Sequence, residues 1–85
     1  MPGQHDPRVN LAITLERAGF VDDAISELTS ARETSKQSLE IAQPLAWMQL
    51  RYASPSPETP ELLRLIALRS TSPQWQAWAR EELRR

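Results

Sequence analysis

The chain has no cysteine, two glycines and a single histidine among its 85 residues, and each scarcity closes off a class of protein. Without thiols there is neither a disulfide framework nor a Cys-based zinc site. His5 sits in a loose leader, and a metal site built on it would draw on carboxylates scattered over different helices, so it reads as an exposed bystander. There is no Gly-rich phosphate loop and no serine in a nucleophile-elbow setting. The adjacent carboxylates Asp22/Asp23 and Glu81/Glu82 would point about 100° apart on a helix, so neither pair serves as acid and base. An enzyme is not expected, and no cofactor or metal is implied. No apolar run approaches the roughly 18 residues of a membrane span. Met1–Arg8 lacks the apolar stretch of a signal peptide, so the expectation is a cytoplasmic protein with no membrane partner.

What is present suits one small folded domain: 40% hydrophobic and 25% charged residues, well outside the disordered class. A chain this short buries only about 60–65% of its unfolded surface, so a partner or a homodimer would add burial. The net charge of −1 offers nucleic acid no general attraction. Its distribution is uneven: residues 1–42 carry four basic and seven acidic side chains, a balance of −3, and residues 43–85 carry six and four, a balance of +2.

Nothing alternates over a strand length, and the segments between Pro and Ser breaks have helical length and period. The first helix spans about Pro7 to Ala18, with Leu11, Ala12, Leu15 and Ala18 on one face and Gly19 ending it. The second starts at about Val21–Asp22, where Asp22 and Asp23 suit the positive end of the macrodipole. Its stripe is Ala24, Ile25, Leu28 and Ala31. The third, in "SKQSLEIAQPLAWMQLRYAS", has the stripe Ile41, Leu45, Met48 and Tyr52. Pro44 inside it implies one helix with a break, or two. "SPSPETP" (residues 54–60) reads as a linker ending in a start signal, Thr59 as N-cap and Pro60 in the first turn. The fourth helix, "ELLRLIALR", is apolar nearly all round and is expected to be the most buried. Ser72-Pro73 starts a fifth helix carrying Trp75, Trp78, Ala79 and Leu83. The fold class is all-α, five helices in antiparallel hairpins.

The stretch "NLAITLERAGFVDDAISELTSARE" resembles a tetratricopeptide (TPR) repeat, a helix–turn–helix of 34 residues. Leu11-Ala12, Leu15, Gly19, Ala24, Leu28 and Ala31 fall where that family places its small and large apolar residues. The match covers residues 8–36. In this reading Ala12, Ala24 and Ala31 allow close helix approach while Leu11, Leu15 and Leu28 fill the seam. Advancing by 34 residues takes Leu11-Ala12 to Leu45-Ala46 and Arg17 to Arg51. Leu15 then falls on Gln49 and Gly19 on Ala53, and the second helix aligns only with about four extra residues. Residues 37–70 therefore read as a degenerate second hairpin and residues 72–85 as a capping helix behind a leader, residues 1–7.

The resemblance implies a concave groove lined by the first helix of each pair. Asn10 matches a position that reaches a ligand backbone, and Ile13 and Arg17 share its face. Val9 and Ile13 stand where the family's carboxylate-binding subset has Lys and Asn, which disfavours a C-terminal-carboxylate receptor. Pro44 corresponds to Asn10 in the second hairpin and removes the second backbone contact. Trp75 and Trp78 share a face and are bundle packing, a partner or dimer contact or, with Arg80, Arg84 and Arg85 after them, a nucleic-acid or membrane contact. The expected function is a non-enzymatic protein-interaction or scaffolding module that binds a peptide or partner helix.

Two other classes stay open. One is a structural self-assembly or dimerisation subunit of death-fold-like helical-bundle type. The other is a small nucleic-acid-binding regulator using the basic C-terminal half. The turn "RSTSPQ" has a length that suits a helix-turn-helix, but the helix after it spends its face on Trp75 and Trp78 rather than on polar base contacts.

Overall fold

Among the described residues, short polar side chains and prolines set four of the five helix starts, and the start after Phe20 has neither. The computed structural model describes residues 6–53 and 56–85; His5 and most of the leader, with Ser54 and Pro55 of the linker, lie outside them. The helices are α1 (Pro7–Arg17), α2 (Val21–Thr34), α3 (Leu39–Arg51), α4 (Thr59–Arg69) and α5 (Pro73–Arg84). Among the described residues all regular structure is helical. Asp6 caps α1 by accepting the Arg8 N–H at 2.9 Å. Ser38 accepts the Ile41 N–H at 3.3 Å, and Ser72 the Trp75 N–H at 3.4 Å. Each side chain satisfies a donor that the first helical turn leaves without an intrahelical partner. Gly19 follows the α1 cap at φ +94°. A Cβ there would meet nothing within 4 Å, so its requirement is conformational rather than steric.

The structure settles α3 as a single helix running through Pro44. Thr59 is not the cap of α4. It lies inside the first turn, buried, where its hydroxyl donates to Gln49 Oε1 at 2.6 Å and accepts the Ser56 N–H at 3.0 Å. Leu11 is 48% exposed and does not fill the first seam; Val9 and Ala12 are the buried residues of α1. The most buried helix is α3 rather than α4. Ile41, Ala42, Leu45, Ala46, Met48 and Gln49 are all inside, whereas Leu68 of α4 is 80% exposed. The reason is position in the stack: α3 packs against α1, α2 and α4, so a wide arc of its surface is covered.

Consecutive helices pack against one another, and α1 also touches α3. The hairpins are antiparallel. Arg8 at the start of α1 donates to Thr34 Oγ1 at the end of α2 across 2.7 Å, and Gln49 near the end of α3 meets Thr59 at the start of α4. Ala12, Ala24, Ala31 and Ala46 are fully buried, and these small residues let helix axes approach closely. Leu28, Leu45, Leu62 and Ile66 fill the space between the pairs.

The odd-numbered helices run parallel. The Asp6 N–H donates to Glu40 Oε2 at 2.8 Å, joining the starts of α1 and α3 over 34 positions. The Tyr52 hydroxyl donates to Glu16, joining their ends over 36 positions. Likewise Ser70, just ahead of α5, donates to Gln43 near the start of α3 at 3.0 Å. Leu50 and Arg51 at the end of α3 share a cleft with Glu82 and Arg85 at the end of α5. One face of the molecule is therefore built from α1, α3 and α5, with α2 and α4 as the return helices.

Candidate functional site

On α3, Ile41, Leu45 and Met48 point inward, and the half-buried Trp47 falls about 100° from Met48 around the helix. That offset turns its indole onto the face shared by the parallel helices. Ile13 faces it from α1, the two side chains lining the same cleft. Trp75 enters from α5. Between them lies an open cleft of about 220 Å³ lined by Ile13, Glu16, Pro44, Trp47, Met48 and Trp75. Five of those six side chains are apolar.

Trp47 also borders two adjoining depressions. One, of about 270 Å³, is completed by Ser72, Gln74, Trp75 and Trp78. The other, of about 230 Å³, is completed by Leu50, Arg51, Trp78, Glu82 and Arg85. All three tryptophans of the chain thus contribute to one continuous face. Trp75 and Trp78 pack edge-to-face, ring centroids 5.3 Å apart and planes at 86°, a favoured arrangement for aromatic quadrupoles. Each fixes the other's orientation.

At the rim, Arg51 lies with its guanidinium carbon 5.2 Å from the Trp47 ring centre and 5.6 Å from that of Tyr52. The two rings are themselves edge-to-face at 6.5 Å. Cation–π attraction holds this arginine over the rings while leaving its N–H donors available. The carboxylates of the face are already engaged: Glu16 accepts the Tyr52 hydroxyl, Glu82 sits 3.9 Å from Arg85, and Glu40 accepts the Asp6 N–H. Among the described residues neither Arg17 nor Arg51 forms an ion pair.

Of the residues singled out from sequence, Ile13 and Trp75 meet in the central cleft and Trp78 in its two neighbours. Asn10 and Arg17 are exposed on α1, one turn to either side of Ile13, and do not line the central cleft. Pro44 lines that cleft, whereas Asn10 faces solvent. Its backbone carbonyl accepts the Thr14 hydroxyl at 2.9 Å, an ordinary bond within a helix. Trp47 was missed, although a signal existed: a tryptophan off the apolar stripe of its own helix has no place in that helix's core. Among the described residues no group of His, Asp and Glu is placed to hold a metal ion, and no helix is long and apolar enough to cross a membrane.

Against protein-family models, curated proteins and solved structures, the chain finds no match.

Proposed function

We propose that the protein is a non-enzymatic interaction module, TPR-like in plan, that binds a peptide or partner helix on its α1–α3–α5 face and acts in the cytoplasm. The observation that carries the proposal is the cleft between Ile13, Trp47 and Trp75, where large apolar side chains remain open to solvent on one continuous face. Contiguous apolar surface rimmed by polar groups is characteristic of recognition sites. Support for the TPR-like plan comes from the parallel α1 and α3, their starts joined by the Asp6–Glu40 bond and their ends by the Tyr52–Glu16 bond, and from the fully buried Ala12, Ala24, Ala31 and Ala46. The second hairpin departs from the repeat in the extra residues ahead of α4.

Affinity capture from a lysate treated with nuclease, comparing wild type with Asn10→Ala and Trp47→Ala, tests the reading. The expected result is a specific protein held by wild type, weakened by Asn10→Ala and lost with Trp47→Ala, while circular dichroism shows both variants helical. Capture that Trp47→Ala leaves undiminished would sink it.

A second reading has its own observation. Leu11 is 48% exposed and Phe20 57% exposed, both on the first hairpin, the edge where another pair of helices would stack in a repeat array. Self-association through that edge predicts a mass that rises with concentration and falls back with Leu11→Ser.

A further inference from the structure

Glu16, Glu40 and Glu82 each have a partner within the chain, but Arg51 on the face and Arg17 at the adjoining end of α1 have no ion pair. That asymmetry bears on what the face binds. Arg17 and Arg51 are the last residues of α1 and α3, and the Tyr52–Glu16 bond joins those two helix ends, so both arginines lie at the end of the face where α1 and α3 terminate. Arg51 is already held over Trp47 and Tyr52, which removes much of the side-chain entropy that an arginine loses on binding. Next to these cations lies the apolar cleft of Ile13, Pro44, Trp47, Met48 and Trp75.

Arginines in a last turn also suit the negative end of the helix macrodipole. That role requires neither the stacking of Arg51 on two rings nor an apolar cleft beside it.

We infer that the occupant is a peptide segment with one large apolar anchor flanked by carboxylates, the anchor entering the Ile13–Trp47–Trp75 cleft and the carboxylates meeting Arg17 and Arg51. This rests on the reading of the face as a recognition site and adds the chemistry of the ligand. Charge complementarity selects the class. Two arginines without ion pairs match one or two carboxylates, whereas a nucleic-acid strand would bring a continuous row of phosphates past Glu16 and Glu82. The anchor is Leu, Phe or Trp in size, because the cleft of about 220 Å³ leaves a methyl group poorly packed.

The test is selection from a randomised peptide display library on the immobilised full chain, followed by binding of one enriched, fluorescently labelled peptide to variants. Enriched sequences are expected to share a large apolar residue next to Asp or Glu. Affinity should fall about tenfold for Arg51→Gln, fall again with Arg17→Gln added, and decline with salt. Arg17 and Arg51 are exposed, so both changes leave the fold in place, which the helical circular dichroism signal checks. Enriched peptides with an apolar anchor but no acidic bias, bound equally well by the double Arg variant, would overturn the ligand class and leave the recognition face standing. Enrichment that Trp47→Leu does not alter, or none at all, would overturn both. A labelled single-stranded oligonucleotide bound more tightly than any peptide would reassign the face to nucleic acid. A mass increase abolished by Trp47→Leu would reassign it to a second copy of the chain.

Discussion

The backbone N–H of Asp6 donates to the carboxylate of Glu40 across 2.8 Å, although 34 positions of sequence separate the two residues. Through that bond the start of α1 is held beside the start of α3. Ile13 of α1 and Trp47 of α3 line one cleft, and the Tyr52–Glu16 bond joins the helix ends that carry Arg17 and Arg51. A shift of α1 along α3 would carry Ile13 away from the indole and open the cleft between them.

Removing the acceptor tests this relation. Glu40→Ala should lower stability by about 1–2 kcal/mol, read as a shift in the midpoint of denaturant unfolding. A midpoint equal to that of wild type would mean that the Tyr52–Glu16 bond and the core hold the register without it.

Asp6 also gives the protein a defined acid response. Hydrogen bonds from the Arg8 side chain and then from its backbone N–H stabilise the Asp6 carboxylate, lowering its pKa from 3.8 to about 2. Because the folded-state value is depressed, this contribution is complete above the unfolded value of 3.8 and is lost as pH falls toward 2. Asp6→Asn should therefore flatten the decline of melting temperature across that window. An identical acid limb in the variant would show that other carboxylates govern it.

The polar contact between Gln49 and Thr59 lies inside the α3/α4 hairpin. Thr59→Val takes the hydroxyl donor from the buried Gln49 oxygen and should cost about 1–3 kcal/mol. Adding Gln49→Leu removes the orphaned acceptor as well, so the double variant should recover part of that loss. Strict additivity of the two changes would argue that the hydroxyl and the amide are not coupled.

Ala24 is wholly buried at the α1/α2 seam. Ala24→Leu should overpack that seam and cost about 1–3 kcal/mol, which corresponds to about 4–8 °C of melting temperature per kcal/mol in a domain of this size. An unchanged melting temperature would mean that the seam can open without penalty.

Much of the architecture was legible because its signals are local. Pro7, Pro60 and Pro73 occupy first turns, Ser72 caps α5, and Gly19 takes the positive φ that ends the first hairpin helix. What the sequence concealed depends on which neighbours a helix has. The period of α1 marks Leu11, Ala12, Leu15 and Ala18 as one face; Ala12 is buried, but the arc that α2 and α3 cover turns toward Val9 and leaves Leu11 and Ala18 exposed. The residues of α4 look apolar on all sides, but no described helix covers the side bearing Leu68. Thr59 has the composition of a cap and is used as a buried hydroxyl, because Gln49 needs a donor there. For the site, Ile13, Trp75 and Trp78 were legible as helix-face residues. Trp47 was hidden behind the stronger core stripe of its own helix, and only the parallel packing of α1, α3 and α5 shows that it stands at the centre.

Ligand recognition by this aromatic face, as proposed above, is tested most directly by the ¹H–¹⁵N spectrum of the protein titrated with a display-selected peptide. The indole N–H signals of Trp47 and Trp75 and the amide of Ile13 are expected to shift together, saturating at one affinity, while the amide of Leu68 stays in place. Shifts gathered around Leu68 or Phe20, with the three indole signals unmoved, would contradict it.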